Sequence, residues 1–585
     1  MTKLTLKEFV CELNARLEKF SHDELKEIIR NHAMNLPPRD RGGYLNRFVR
    51  PEKPKGEKKS KRPTMSEGEF LLREIGAFGE RTENYEYTNG WGWDDEYGEE
   101  RAWGDDSWVA EIDSLFERIN DFYEAEDYPL AGKAYEKLFE IYLGGNEEGR
   151  FSGHDQDEMM ETNLEEAGLR YLRSIYMSEK PLSRPEALFR GISGLSYLCR
   201  NTTIHGMIHV SMEDLPELDQ FAKEWIEYLK KQKENHIVTN LLKEAVRLFE
   251  GIKGLETLAL ERGHQFPGAF VEWLEVLKKD GNYHEMVRVA KLGLETLSDR
   301  LTIRGQIADY LHQAASRLGQ QDLVEKSLKE ALYASPSLSR LLNLLDHAKT
   351  TQQKVNYLIG ALARFEKIRK RTENKEPSEI AFNRSPDLHE NQVPENLEIH
   401  CYLLKGDYAK AVSLMSSSKP LGWNSGDIPN AVLVPFFLYA RWDQEKKLTG
   451  NIADLWKDAT DVPVHFGTFS QEAPISGDLG KRFRDHLEKA LKEFPIPEKE
   501  QDEYFLAAEK AALKRVDAIV GEKHRQSYWK AAQLLLAFAE TYWSAGKADK
   551  GQKLVDRFKE KYHRHSAFRV ELQKAAKKSI PFSIS

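Results

Sequence analysis

Five stretches of this 585-residue chain repeat one local pattern, and that pattern constrains the fold more than any other feature. An apolar helix runs into a Gly or a short polar turn, and small and apolar residues follow at helical spacing. "YLLKGDYAKAVSLM" places Tyr408, Ala411, Val412 and Met415 after Gly406-Asp407. "VLKKDGNYHEMVRVAKLGLETL" places Tyr283, Met286, Val289, Ala290 and Leu294 after Gly281-Asn282. "INDFYEAEDYPLAGKAYEKLFEIY" does the same with Tyr128, Ala131, Ala134, Tyr135 and Leu138 after Glu126-Asp127, and weaker copies surround Gly319 and Gly546. Two antiparallel helices joined this tightly need a turn former, and small residues such as Ala131 and Ala411 let the pair approach closely. Each hairpin leaves an apolar face that only a neighbouring hairpin can bury, so such units stack.

Helical period also dominates outside these copies. Leu6, Phe9, Val10, Leu13, Leu17 and Phe20 line one face of a first helix, and Ser21 with Glu24 forms a capping box. Thr162 with Glu165, and Ser183 with Glu186, read as further helix starts. The spacing predicts an N-terminal helical module over 1–48, a basic tether over 49–66 and an acidic aromatic loop region over 67–110. A helical-repeat solenoid then fills 111–371, a linker 372–396, and a hairpin plus an irregular segment 397–480, before a C-terminal helical domain over 481–585. Ala431–Ala440 reads as a buried core segment: it is too short to span a bilayer and contains Pro435.

"GDYAKAVSLM" and its copies resemble the turn and second helix of the tetratricopeptide-repeat family. The turns near 127, 282, 320, 407 and 547 do not follow that family's period of roughly 34 residues, and most copies lack its first-helix Trp. The resemblance implies an all-α fold, an irregular tetratricopeptide-like α-solenoid whose concave face takes a peptide or partner domain. The layout of a long helical part joined by loops near Thr372–Asn396 or Ser416–Asp427 to a C-terminal domain is similar to helical accessory proteins of bacterial CRISPR systems. Those proteins are cut by a caspase-like protease to release a regulatory fragment.

Composition narrows the function. With 86 basic against 95 acidic residues the net charge is -9, which argues against a generally cationic nucleic-acid binder. Cys11, Cys199 and Cys401 are far apart and form no CxxC pair, which suits a reducing cytoplasm. The N-terminal stretch carries acids throughout and does not read as a signal or transit peptide. Phosphate-binding loops, HExxH and GxSxG are absent, so the expectation is a protein without catalytic activity, cofactor or metal.

Several local features compete as sites. His205 and His209 would share a helix face, but no carboxylate completes a metal set, and packed histidines are the blander reading. Cys199 near them lacks an orienting third group. Residues Ser152–Glu166 lack the register of a calcium loop, and "YHRHSAFR" (Tyr562–Arg569) reads as a polar turn between terminal helices. The tether residues Lys53, Lys55, Lys58, Lys59, Lys61 and Arg62 are candidate phosphate contacts, though no interleaved aromatics stack bases. "RFEKIRKR" (Arg364–Arg371) reads as a charged helix end.

The stretch "YEYTNGWGWDDEYGEERAWGDDSW" is harder to absorb, because indoles left in water invite association. Trp91, Trp93, Trp103 and Trp108 are therefore expected to cap the first hairpin, to anchor a partner, or to fold back on the basic tether. The expected function is a protein–protein interaction scaffold or regulatory adaptor, with another protein as partner and no membrane. Two alternatives stand beside it: a protease-cleaved regulatory protein of a bacterial defence system, and a nucleic-acid-associated protein acting through the tether.

Overall fold

The computed structural model describes residues 6–21, 24–26, 29–30, 65–88, 90–94, 99–104, 106–152, 159–195, 202–233, 235–372, 385–415, 419–423, 429–461 and 478–579. Within them the fold is all-α apart from a single two-stranded ribbon. The chain divides into two compact units, Met1–Gly254 and Leu255–Ser585.

The first unit contains α1 (Leu6–Leu17), α2 (Met65–Glu83), β1 (Gly90–Asp94), β2 (Glu99–Trp103), α3 (Ser107–Glu124), α4 (Tyr128–Glu147), α5 (Leu164–Ser178), α6 (Arg184–Leu195), α7 (Ile204–His209), α8 (Leu218–Lys231) and α9 (His236–Ala245). The division between the units falls inside α10 (Gly251–Arg262). The second unit continues with α11 (Gly268–Lys279), α12 (Tyr283–Thr296), α13 (Ile303–Arg317), α14 (Gln321–Ala334), α15 (Leu338–His347), α16 (Thr351–Thr372), α17 (Glu395–Lys405), α18 (Tyr408–Met415), α19 (Asn430–Arg441), α20 (Asn451–Asp461), α21 (Leu479–Glu493), α22 (Glu498–Gly521), α23 (Tyr528–Ser544), α24 (Ala548–Lys561) and α25 (Ser566–Lys578).

The recurrent turn has one backbone cause. Gly281, Gly319, Gly406 and Gly546 all take left-handed φ, between 69° and 77°. In each case the next N–H reaches back five residues: Asn282 to Leu277, Gln320 to Ala315, Asp407 to Tyr402 and Lys547 to Tyr542. That is the αL helix stop, which satisfies carbonyls the helix end would otherwise orphan. Glu126 makes the same turn at φ 59°, with Asp127 N–H on the Phe122 carbonyl, although it carries a Cβ. Where the following residue is Asp127 or Asn282, its side chain accepts from Leu130 N–H or Glu285 N–H and so starts the next helix.

Gly281→Ala is expected to cost about 1 kcal/mol, all of it conformational, because nothing lies within 4 Å of the added Cβ. Gly406→Ala costs more, since its Cβ would sit 2.6 Å from the Phe494 Cβ. Glu126→Gly should instead stabilise by up to about 1 kcal/mol, by relieving the left-handed penalty. Urea midpoints of the three variants check this ordering; a neutral Gly281→Ala would overturn it.

A second device recurs at helix starts. Arg184 donates to the Tyr176 carbonyl at 3.0 Å and pairs with Glu217 at 2.9 Å. Arg304 donates to the Leu297 carbonyl at 2.6 Å and pairs with Glu330 at 2.6 Å. Arg340 donates to the Ser335 carbonyl at 3.1 Å and pairs with Asp309 at 2.8 Å. Each guanidinium in the first turn of one helix thus closes the C-terminal end of the helix before it, where the helix dipole favours a cation.

Several expectations need adjusting. The span 67–110 is not simply a loop: it holds most of α2, the ribbon and the start of α3. Along α2, Gly68, Gly76 and Gly79 face Leu130, Lys137 and Ile141 of α4, so the missing side chains admit the second helix. The N-cap of α5 is Asn163, accepting from Glu166 N–H, while Thr162 turns away to donate to Asp113. Ser183 closes a short 3₁₀ turn ahead of α6. The Ser21–Glu24 capping box forms as read, with Ser21 N–H donating to the Glu24 carboxyl at 2.7 Å.

The second unit does not break at 372–396 or at 481. One hydrophobic core runs from Ala315 and Leu345 through Phe365, Leu403, Phe436 and Leu487 to Leu536 and Leu572. After the stretch 373–384 the chain returns as part of this body. Leu301 and Glu390 form a β-bridge, and buried Asn391 donates from its backbone to the Arg300 carbonyl at 2.7 Å. The zone 416–480, read as irregular, contributes α19 and α20; α19 carries the apolar Ala431 segment in the core with Pro435 inside the helix.

Candidate functional site

The sequence places four tryptophans together; the structure separates one of them. Trp108, in the first turn of α3, is fully buried, with its ring 4.7 Å from Phe151 and 6.4 Å from Tyr142. Its indole N–H donates to Ser152 Oγ at 3.2 Å, and that hydroxyl donates to Asp106 at 2.7 Å. Trp108 is therefore part of the core that seals the start of the helical unit.

Trp91, Trp93 and Trp103 lie instead on an antiparallel ribbon whose register pairs Trp91 with Ala102, Trp93 with Glu100 and Gly90 with Trp103. Among the described residues neither strand has a further strand beside it. The end of the ribbon where Gly90 pairs with Trp103 is fastened to helices through Tyr87. Tyr87, just before it, packs on Phe78 at 5.7 Å and donates to Glu111 of α3 at 2.7 Å. Arg81 of α2 donates to the Tyr87 hydroxyl at 3.0 Å and also pairs with Glu111. Burial pushes the Tyr87 phenol up to about 12, so it keeps its proton and remains a donor. Gly104, just after the ribbon, has no room for a side chain, since a Cβ there would meet the Tyr87 carbonyl at 2.0 Å.

The other sequence candidates fare differently. Lys53, Lys55, Lys58, Lys59, Lys61 and Arg62 lie outside the described residues, as do Cys199 and the stretch 153–158. His205 and His209 do share a face, with ring centroids 4.2 Å apart, and His209 Nδ1 meets the His205 carbonyl at 2.7 Å. Among the described residues no group of three His, Cys, Asp or Glu side chains is arranged to hold a metal. His565 packs on Tyr562 and meets the Tyr528 hydroxyl at 3.2 Å, so it belongs to the packing of α23 against the final helices. Cations of "RFEKIRKR" are used internally: Arg364 and Arg371 meet Asp299, and Arg369 pairs with Glu398 at 3.2 Å.

Two polar features were not read from the sequence. Buried His400 lies 4.5 Å from the Phe483 ring with neither ring nitrogen hydrogen-bonded, and burial pulls its pKa down to about 3, so it is neutral. In the first unit, Arg170 and Arg173 of α5 meet Tyr123, Tyr128 and Tyr135 of α3 and α4 in one polar seam. Tyr135 donates to Asn120, and Arg170 lies over the Tyr123 ring at 5.5 Å. The spacing of Arg170 and Arg173 puts both on one helix face, but nothing local marks which of them is neutralised. No helix among the described residues is long and apolar enough to cross a membrane. Compared with known proteins, the chain matches no protein-family model and no curated protein.

Proposed function

We propose that this protein is a non-catalytic interaction scaffold or regulatory adaptor, in which stacked helical hairpins of the tetratricopeptide-like kind present binding surfaces to another protein. The observation that carries the reading is the ribbon 90–103: a two-stranded element whose sequence is rich in tryptophan and carboxylates, joined at one end through Tyr87 to a packed helical body. An isolated two-stranded ribbon is marginal in water, so the Tyr87 anchor, with Gly104 packed closely against the Tyr87 backbone, is what makes it a usable platform. Aromatic side chains on a fixed backbone are favoured hot spots, since they bring large contact area at small entropic cost. The surrounding acids, from Asp94 to Asp106, select a partner with a cationic surface. Cys401, buried and unpaired, suits a reducing, cytoplasmic setting.

The test is purification of the tagged full chain from its native host, identification of the co-purifying protein, and direct affinity measurement. Combined Trp91→Ala, Trp93→Ala and Trp103→Ala should weaken that affinity by roughly 30-fold or more, with little change in melting temperature. Unchanged affinity would overturn the assignment of the ribbon as the contact.

A further inference from the structure

The seam between α3, α4 and α5 carries a charge that no carboxylate among the described residues pairs with. Arg173 is fully buried; its Nη2 donates to the Glu213 carbonyl at 2.7 Å, and its side chain also meets the Tyr128 hydroxyl. Its Nε and Nη1 have no partner. Other deeply buried arginines behave differently. Arg184, Arg304 and Arg340 each pair with a carboxylate at 2.6 to 2.9 Å. Arg170, one turn from Arg173, meets Glu166 at 2.7 Å and Glu124 at 3.8 Å. Arg515 also pairs with no carboxylate among the described residues, but its guanidinium lies against the Trp423 ring at 4.6 Å.

The groups around Arg173 supply neutral acceptors, the Glu213 carbonyl and the Tyr128 hydroxyl, and no paired negative charge among the described residues. The Tyr123 hydroxyl is buried without a partner. Burial pushes the Tyr123 and Tyr128 phenols up, so both stay protonated and neither supplies a counter-charge. Glu213 and Glu126 are near enough to Tyr128 to raise it further, yet neither forms an ion pair with Arg173 among the described residues. Unpaired buried donors are rare in folded proteins, and an unpaired buried cation costs several kcal/mol. An ordered water can accept from two of these donors, but it brings no charge.

We infer that this seam is a built-in site for one small monovalent anion of the chloride class, held by the Arg173 guanidinium and the Tyr123 hydroxyl. The choice of a monovalent ion follows from burial. The cost of desolvating an ion grows with the square of its charge, and a dianion would leave a net negative charge beside the single cation. The site is independent of the adaptor reading; it lies in the helical body and not on the ribbon.

The test uses the full chain at constant ionic strength, with sodium gluconate, chloride, bromide or phosphate as the varied salt. Chloride and bromide should stabilise the protein relative to gluconate, shifting the unfolding equilibrium about 100-fold at a hundred times Kd. Bromide-soaked crystals should show an anomalous peak beside Arg173. Arg173→Gln removes the charge and its need for a counter-ion while keeping an amide donor for acceptors such as the Glu213 carbonyl, so this variant should fold and lose the halide dependence. Tyr123→Phe, which keeps the ring, should retain the dependence with weaker affinity. Equal stability in chloride and gluconate, with only water at the guanidinium, overturns the proposal. So does halide dependence that survives Arg173→Gln, or a bromide peak without any effect on stability, which would mean an adventitious ion only. Stabilisation by phosphate alone overturns the monovalent assignment.

Discussion

Trp108→Ala should destabilise the first unit by about 3 to 5 kcal/mol, the range for removing a large aromatic side chain from a packed core. The reason lies in what surrounds the ring. Trp108 is fully buried, and Phe151 beside it also stacks with Phe78 at 6.1 Å and Tyr142 at 5.8 Å. Removing the indole therefore leaves a void where α2, α3 and α4 meet, and Phe151 beside it is packed so closely on Gly145 that it has little freedom to collapse. Trp108→Phe should cost much less, roughly 1 to 2 kcal/mol: it keeps the apolar ring, and Ser152 still has Asp106 to donate to. Hydrogen exchange followed by mass spectrometry localises the effect. Faster exchange across 65–147 in the Ala variant is the expected result, and unchanged exchange there would show that Trp108 does not hold the unit together.

The fold was only half legible beforehand. The turns at Gly281, Gly319, Gly406 and Gly546 were readable because a left-handed helix stop needs a residue without a Cβ, and glycine announces it. The copy at Glu126 was found through its flanking helices, since the residue itself carries no such signal. Helix α2 escaped notice because Gly68, Gly76 and Gly79 lower its helix propensity, and their value lies in contact with α4, about 60 positions away in sequence. The ribbon was hidden by acids and glycines that carry no strand propensity, although tryptophans alternating with glycine in "GWGW" were its one clue. The unit boundary had no compositional mark, because it falls inside α10 rather than in a polar linker. Conversely, the polar stretch 372–396 looked like a break but rejoins a continuous core, because composition reports solvation and not which apolar faces meet. Arg173 could not be singled out at all. Its peers find their carboxylates 26 to 33 residues away, a pairing that only the packed helices define.

Glu540→Ala is expected to have a similarly large effect in the second unit, about 3 to 5 kcal/mol, by leaving buried donors without an acceptor. Glu540 is 2% exposed on α23, and its carboxylate covers the start of α20. Asn451 N–H donates to it at 3.0 Å, Ile452 N–H at 2.8 Å and the Asn451 side-chain amide at 2.8 Å. The Ser579 hydroxyl, just beyond α25, donates to the same carboxylate. One side chain thus ties three helices, and it places negative charge where the α20 dipole is positive. Gly450 is required by the same contact: its φ is 77°, and a Cβ there would meet Glu540 Oε1 at 2.6 Å. Glu540→Gln retains one acceptor but turns an amide donor toward other donors, so it should fall between wild type and Ala. Ser579→Ala removes one donor to the carboxylate and one acceptor of the Asn451 amide, which keeps Glu540 and the Ala575 carbonyl; with the helix start still capped it should cost no more than about 1 kcal/mol. Thermal unfolding orders the three variants, with a fall of roughly 10 °C for Ala. If Glu540→Ala unfolds no earlier than Ser579→Ala, the carboxylate does not cap α20 in solution, and the tie between α20, α23 and α25 rests on apolar packing alone.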